Sequence, residues 1–514
     1  MKRIIALILC AVTVIGLLCG CKKDESAYIP TGDALILEDG TPIYTPEPTP
    51  TEQDLTLAYY PEISLNPLLC TDYTNRAILP LLYQGLFVTD RDYNVAPILC
   101  KQYAVSQDMK TYTFYLENAT FSDGTGLTPA DVVATYAAAR ESIYYSGRFL
   151  HIVDFFPSED GGVTVVLDTP MENLPILLDI PILKAGEGNA DRPLGTGPYF
   201  LDTTSGKALL RRRNNWWCSA EMSIFAPAIR LVEAESNAQI RDEFEFSGLN
   251  LVCANPGSDR YTDYRCDYEL WDCENGIFLY LSCNMDSEIF SVPEVRAALT
   301  FAVDRDTIAA DNYRGFGLPA SLPASPISPY YSQIQAEKYA YDGGLAFHQA
   351  VADAGLVGKE MIFLVNSDDT MRVRIARFLS KVMTNAGFLV TMKECSGEDY
   401  RYALRMREYD LLLGQTRLSP NMDLSAFFAA GGALNYGGIA DVGIYALCME
   451  SLANYGNYYT LHQQVMDDGR LCPILFSSYA VYATRGLLTN LTPSRDNVFY
   501  YHLDKTMQDA MMKT

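Results

Sequence analysis

Histidine is scarce in this sequence of 514 residues, which has only His151, His348, His462 and His502. None stands in a His-Glu-x-x-His pair or beside a candidate nucleophile, so each reads as a lone structural or surface histidine. The Gly-x-Ser-x-Gly elbow of serine hydrolases is missing. So is the Walker loop: Gly355-Leu-Val-Gly358-Lys359-Glu360 has the wrong spacing and no Ser or Thr after its lysine. Positive charge is in deficit, with 39 basic residues against 63 acidic ones and a formal net charge of −24. Such a surface argues against nucleic acid and against adhesion to anionic headgroups. The ten cysteines from Cys70 to Cys472 include no Cys-x-x-Cys pair, so a zinc ribbon or thioredoxin-like chemistry has no footing. These absences predict no catalytic residues, no metal ligands and no cofactor. Paired carboxylates carry no weight in so acidic a chain.

Long apolar runs are also lacking, and the longest lies at the start. Lys2 and Arg3 precede an apolar stretch over 4–18, shorter than the ~20 residues that cross a bilayer. It reads as the n-region and h-region of a secretory signal over 1–20. Leu18-Cys19-Gly20-Cys21 ends it as a bacterial lipobox would, which makes Cys21 the expected acylated residue and places the chain on the outer face of a membrane. Residues 21–53 read as a tether. Their Pro46-Glu-Pro-Thr-Pro-Thr-Glu52 end is polar and proline-rich, which favours extended conformations. Export permits disulfides, and an even number of cysteines is compatible with pairing without showing it.

The most informative stretch spans 110–136. Thr111, Thr113 and Tyr115 alternate with Tyr112, Phe114 and Leu116, the period of a half-buried strand. Ser122-Asp123-Gly124-Thr125-Gly126 breaks the strand with turn residues. Thr128 then stands as a helix N-cap, with Pro129 at the first helical position and Asp131 in the first turn. Tyr112, Phe114, Leu116, Phe121-Ser-Asp-Gly-Thr125, Leu127, Thr128, Asp131 and Val132 together resemble the signature of family 5 solute-binding proteins. These are the large extracytoplasmic subunits of peptide-type ABC importers.

Further motifs follow in the family's order over about residues 55–505. Tyr83-Gln84-Gly85-Leu86 resembles its Tyr-Glu-Gly-Leu, Leu194-Gly195-Thr196-Gly197-Pro198-Tyr199 its Gly-Thr-Gly-Pro-Tyr, and Arg213-Asn-Asn-Trp216-Trp217 its Arg-Asn-x-x-Tyr-Trp. Pro293-Glu-Val-Arg-Ala-Ala-Leu299 and Ala302-Val-Asp-Arg305 are similar to the helix of its third domain. The resemblance implies an α/β fold of the type II (cluster C) periplasmic-binding-protein kind, a two-lobed clamp with an extra domain. Domain I would comprise 54–88, 196–275 and 480–514, domain II 89–195 and domain III 276–479, with closure about 195–199 and 278–284. It implies a monomer that captures a solute and hands it to membrane permease subunits, breaking no bond. Two alternatives stay open: a lipid-anchored sensor of the same fold, and a secreted hydrolase.

For the site, the resemblance points to Thr71 and Tyr73 and to Trp216 and Trp217 as cleft wall. Peptide-binding members carry Trp-x-x-Asp-Tyr after a Tyr-Asp strand, the Asp pairing with the peptide's α-ammonium group. Here Tyr409-Asp410 is followed by Gln415, Thr416, Arg417 and Ser419, with Thr416 in place of the Trp and Ser419 in place of the Asp. Asp423 is expected to turn the chain into a helix holding Phe427 and Phe428. A ligand's ammonium group thus loses its partner and meets Arg417, whose planar fork suits a carboxylate. Arg417 either enters the cleft or faces solvent. The expected ligand has an acidic group, as a modified peptide or a carboxylate-rich metal chelate does.

Overall fold

Strand Thr111–Leu116 shows how side-chain alternation sets the local fold. Tyr112 and Phe114 are buried while Thr111 and Thr113 stay half-exposed. The strand lies in a four-stranded antiparallel sheet, ordered Cys100–Val105, Thr111–Leu116, Val163–Leu167, Ile152–Pro157. Past the 122–126 turn, helix Pro129–Ala139 covers the sheet. The Asp131 carboxylate accepts from the backbone N and the Oγ1 of Thr128 at 2.8 and 2.6 Å, and from the Ala185 N at 2.8 Å. One buried acid thus caps the helix and pins a distant loop.

These features belong to a computed structural model that describes residues 55–218, 226–258, 261, 263–488, 491–501 and 507–512. The apolar run 4–18, Cys21 and the tether to 53 lie outside the described residues.

A second sheet has eleven strands. Two long antiparallel strands, Tyr268–Cys283 and Leu471–Thr484, run through its centre. On one side follow Leu411–Arg417, Glu360–Asn366 and Leu389–Cys395. On the other follow Leu251–Ala254, Leu55–Tyr59, Ala228–Glu233, Leu209–Arg212 and Tyr199–Asp202, and Gly317–Pro319 pairs with the middle of Leu471–Thr484, at Leu475 to Ser477. The expected limits at 275/276 and 479/480 both fall inside the two long strands. Pairing between them slips from Glu274 to Phe278, so the sheet is continuous there but irregular.

Helix Thr370–Asn385 packs on strands Glu360–Asn366 and Leu389–Cys395 and buries Met371, Val373, Ile375, Ala376, Leu379 and Met383. The Met, Val, Ile and Leu side chains among these each contribute about 1.5–3 kcal/mol of transfer free energy. The helix starts at Thr370 because the Asp369 side chain caps it, accepting from the N–H groups of Met371 and Arg372.

The recognisable motifs meet in space. The Arg213 guanidinium donates to the carbonyls of Thr120, Phe121 and Gly197 at 3.0, 2.8 and 3.1 Å, and the Ser122 N donates to the Gly195 O at 3.0 Å. Three stretches far apart in sequence are thereby locked into one corner, next to the Tyr83 wall of the cleft.

Candidate functional site

The cleft is built from the ends of several elements. Strand Leu411–Arg417 pairs antiparallel with Tyr268–Cys283 in a register that sets Arg417 opposite Ile277, at the strand's last position. Helix Tyr73–Arg76 ends on Arg76, and the short turn Ser146–Phe149 carries Arg148. A tight turn at 494–497 brings in Arg495 and Asp496; Ser494 N donates to Asn497 O at 2.9 Å and Asn497 N to Ser494 O at 3.2 Å. These side chains, with Tyr83, Gln84, Tyr144, Asp179 and Tyr501, line a cleft of about 830 Å³ counted to its open mouth.

Four guanidiniums and two carboxylates face this space. Arg417 is ion-paired with Asp496, and Arg148 with Asp179. Arg76 donates to the carbonyls of Pro67 and Cys70 at 3.3 and 3.2 Å and forms no ion pair among the described residues. Its guanidinium lies 3.7 Å from the centre of the Tyr144 ring and that of Arg417 lies 4.9 Å from it, so one ring attracts both cations. Burial pushes the Arg148 guanidinium below its ordinary range, and Asp496 is among the charges opposing that push.

Behind the wall stands Glu274, which is buried. Its carboxylate accepts from the Tyr93 hydroxyl at 2.8 and 2.9 Å and from Ser325 Oγ at 3.0 Å. Burial raises its pKa; the nearby Arg495 charge and those two hydroxyls oppose the rise. Arg495 donates to the Leu418 carbonyl and passes directly over Gly276, where any Cβ would collide with the guanidinium.

Of the residues singled out from sequence, Arg417 lines the cleft. Gln415 and Thr416 precede it on the same strand, half-buried and paired with Leu279 and Phe278. Ser419 sits beside Gly147 from the other side of the cleft. Thr71 is exposed, and its carbonyl accepts from the Tyr144 hydroxyl at 3.2 Å. Tyr73 stacks on Tyr479 at 5.6 Å and lines a separate, smaller cavity with Asn237, Cys253 and Tyr264. The tryptophans form a supporting layer. Trp217 Nε1 donates to Gln84 Oε1 at 2.9 Å, Gln84 Nε2 donates to the Tyr501 hydroxyl at 2.6 Å, and Trp216 meets Tyr501 edge-on at 5.8 Å.

Sequence reasoning missed Arg76, Tyr144, Arg148, Arg495 and Asp496. Gln84 was visible as part of a motif but not as a site residue. The Asp423 expectation matches the structure: its carboxylate accepts from Ser425 N and Oγ at 2.8 and 2.9 Å, opening helix Ser425–Phe428.

His151 departs from the lone-histidine reading. It is buried, with Nδ1 3.1 Å from Asp168 and Nε2 3.2 Å from Asp423 and 3.0 Å from Ser425 Oγ. The contact joins the region of the four-stranded sheet to the segment that follows Arg417. Burial acts against a charged ring, but the Asp423 and Asp168 carboxylates outweigh it and the pKa is raised. A raised folded-state value stabilises fully below the unfolded pKa of about 6.5 and is lost as pH climbs through the folded value. The thermal midpoint of the wild type should therefore fall, relative to His151→Gln, as pH rises above about 6.5. Calorimetric scans across that range check this, and parallel profiles for the two proteins would contradict it.

Among the described residues, no group of three or more His, Cys, Asp or Glu side chains is placed to hold a metal ion, and no helix is long and apolar enough to cross a membrane. Cys70, Cys253, Cys273, Cys283, Cys448 and Cys472 are buried free thiols. Burial pushes their pKa values up, as it does for Cys70 to about 11, so they pack as small apolar groups.

Comparison with known proteins gives three findings. The model of bacterial extracellular solute-binding proteins, family 5 Middle, matches residues 94–435. The glutathione-binding protein GsiB of Escherichia coli O1:K1 is 25% identical over 301 residues, 54% of this chain and 57% of that protein. The chain thus spans little more than half the length of the curated relatives it matches. Among solved structures, HbpA2 from Haemophilus parasuis superposes with a TM-score of 0.71 at 17% identity, covering 88% of this chain and 100% of that one. NikA from Brucella suis in complex with Fe(III)-EDTA does so with a TM-score of 0.68 at 18% identity, covering 87% and 100%. Both show the fold: an α/β, type II binding-protein architecture with a large mixed sheet.

Proposed function

Because the chain belongs to family 5 of the bacterial extracellular solute-binding proteins, we propose that it captures a solute bearing an acidic group and delivers it to the permease subunits of an ABC importer. One observation carries the ligand class: Arg76, Arg148, Arg417 and Arg495 converge on a single cleft that offers only Asp179 and Asp496 in return. Guanidinium forks bind carboxylates bidentately, and a partly desolvated cleft strengthens such bonds. The family relationship supports the role of binding subunit, in which affinity comes from burying the ligand between lobes and no covalent step occurs. Glutathione, named for the curated relatives, carries two carboxylates and one ammonium group and meets this charge pattern. A carboxylate-rich chelate meets it too.

The protein works as a monomer, held on the extracytoplasmic face of the cell membrane by lipid on Cys21. Support for the anchor comes from the lipobox-like Leu18-Cys-Gly-Cys21 at the end of a short apolar run. Cys21→Ser should release the protein from membranes washed with carbonate. Retention of the variant would end the anchor assignment.

The ligand class is tested by calorimetry with glutathione and with Ala-Ala as probes. Arg417→Ala should weaken binding of the acidic probe by about 1.5–3 kcal/mol, roughly ten- to a hundredfold, if a charge-assisted bond is lost. Tight binding of Ala-Ala, unaffected by the substitution, would refute the reading.

A further inference from the structure

The acid that Arg417 holds in this structure is the protein's own. Asp496 stands at the tip of the 494–497 turn with φ of 54°, in the left-handed region that aspartate tolerates better than most residues. Its backbone N is fixed on the Glu274 carbonyl at 2.8 Å. Its carboxylate pairs with Arg417 inside the cleft, both side chains being 18% exposed. Arg76, Arg148 and Arg495 line the same cleft and feel its charge, while Arg148 keeps Asp179 as its ion-pair partner. Asp496 thus shares the cleft with four guanidiniums, of which Arg148 is already paired with Asp179 and Arg495 lies near the Glu274 charge, so Arg417 and Arg76 are the two most open to a ligand's acid.

We propose that Asp496 is a built-in competitor for the ligand, a carboxylate that occupies Arg417 and must be displaced by the acidic group of an incoming solute. The inference rests on the reading of the cleft as an acid-binding site and goes beyond it by naming the residue that sets the threshold. A tethered group competes at high effective concentration. A monocarboxylate that merely replaces Asp496 exchanges one ion pair for another and gains little. A ligand with two or more acidic groups can take Arg417 and also engage Arg76, which lacks an ion-pair partner among the described residues. The internal acid therefore biases the cleft towards polyanionic solutes.

A purely structural ion pair and a competitor predict opposite signs for the same substitution. Titration of the full chain in detergent with citrate as the probe distinguishes them. Asp496→Asn should bind citrate roughly ten- to a hundredfold more tightly than wild type, and the added substitution Arg417→Ala should abolish that gain. Asp496→Glu, which keeps the acid, should stay close to wild type. If Asp496→Asn fails to fold, Asp496→Ser replaces it with the same expected direction. Equal or weaker citrate binding by the neutral variants overturns the proposal. If Arg417→Ala alone still weakens the acidic probe in that case, only the role of Asp496 falls; if it has no effect either, the acid-binding reading falls as well.

Discussion

Glu274→Ala should destabilise the protein by about 1–3 kcal/mol, the usual cost of leaving buried hydrogen-bonding groups without their partner. Glu274 is 4% exposed and Arg495 is 6% exposed, and they sit where the two central strands lose register between Glu274 and Phe278. Removing the carboxylate leaves the Arg495 charge buried without its acid and strips the Tyr93 and Ser325 hydroxyls of their acceptor. Arg495 also lines the cleft, so the loss reaches the site directly. Glu274→Gln, which keeps the shape and an acceptor oxygen, should cost less. Urea unfolding measures both, and a loss below about 1 kcal/mol for Glu274→Ala would mean that Arg495 is compensated by other groups.

Gly195→Ala should cost about 3 kcal/mol, at the upper end of overpacking. A Cβ at this position would lie 2.1 Å from the Leu82 carbonyl oxygen and 2.5 Å from the Tyr83 ring. The first obstacle is backbone, which cannot rotate away. Relief therefore requires the Leu194–Tyr199 motif to separate from the Tyr83-Gln84 wall, which lines the cleft. Stability and retention of the acidic probe should fall together in this variant. Wild-type stability would contradict the close approach.

Legibility in the sequence followed the range of the forces involved. Strand Thr111–Leu116 stands where alternation placed it, because a two-residue period acts within the strand itself. Strand Tyr268–Cys283 runs well beyond the apolar stretch from Ile277 to Cys283, because its first half carries Asp272, Glu274 and Asn275. Apolar patterning does not register such residues; a sheet partner holds them. The fold class was legible through motifs, whose reason shows in Arg213 gripping the Thr120, Phe121 and Gly197 carbonyls.

Within the site, the family resemblance drew attention to Arg417, which lines the cleft. Its partner was not legible: Asp496 lies 79 residues away in a turn with no periodicity, and only tertiary closure selects it. Arg76 and Arg148 were hidden for the same reason. The tryptophans drew attention by rarity, yet their indole N–H groups support the cleft wall through Gln84 and the Thr196 carbonyl.

The claim that this cleft selects an acidic solute is tested most directly by native mass spectrometry of the full chain purified from its own cells, wild type beside Arg417→Ala. The expected result is a bound species on the wild type that carries at least one carboxylate or equivalent acid and is lost from the variant. A neutral or cationic species retained equally by both proteins would contradict the account.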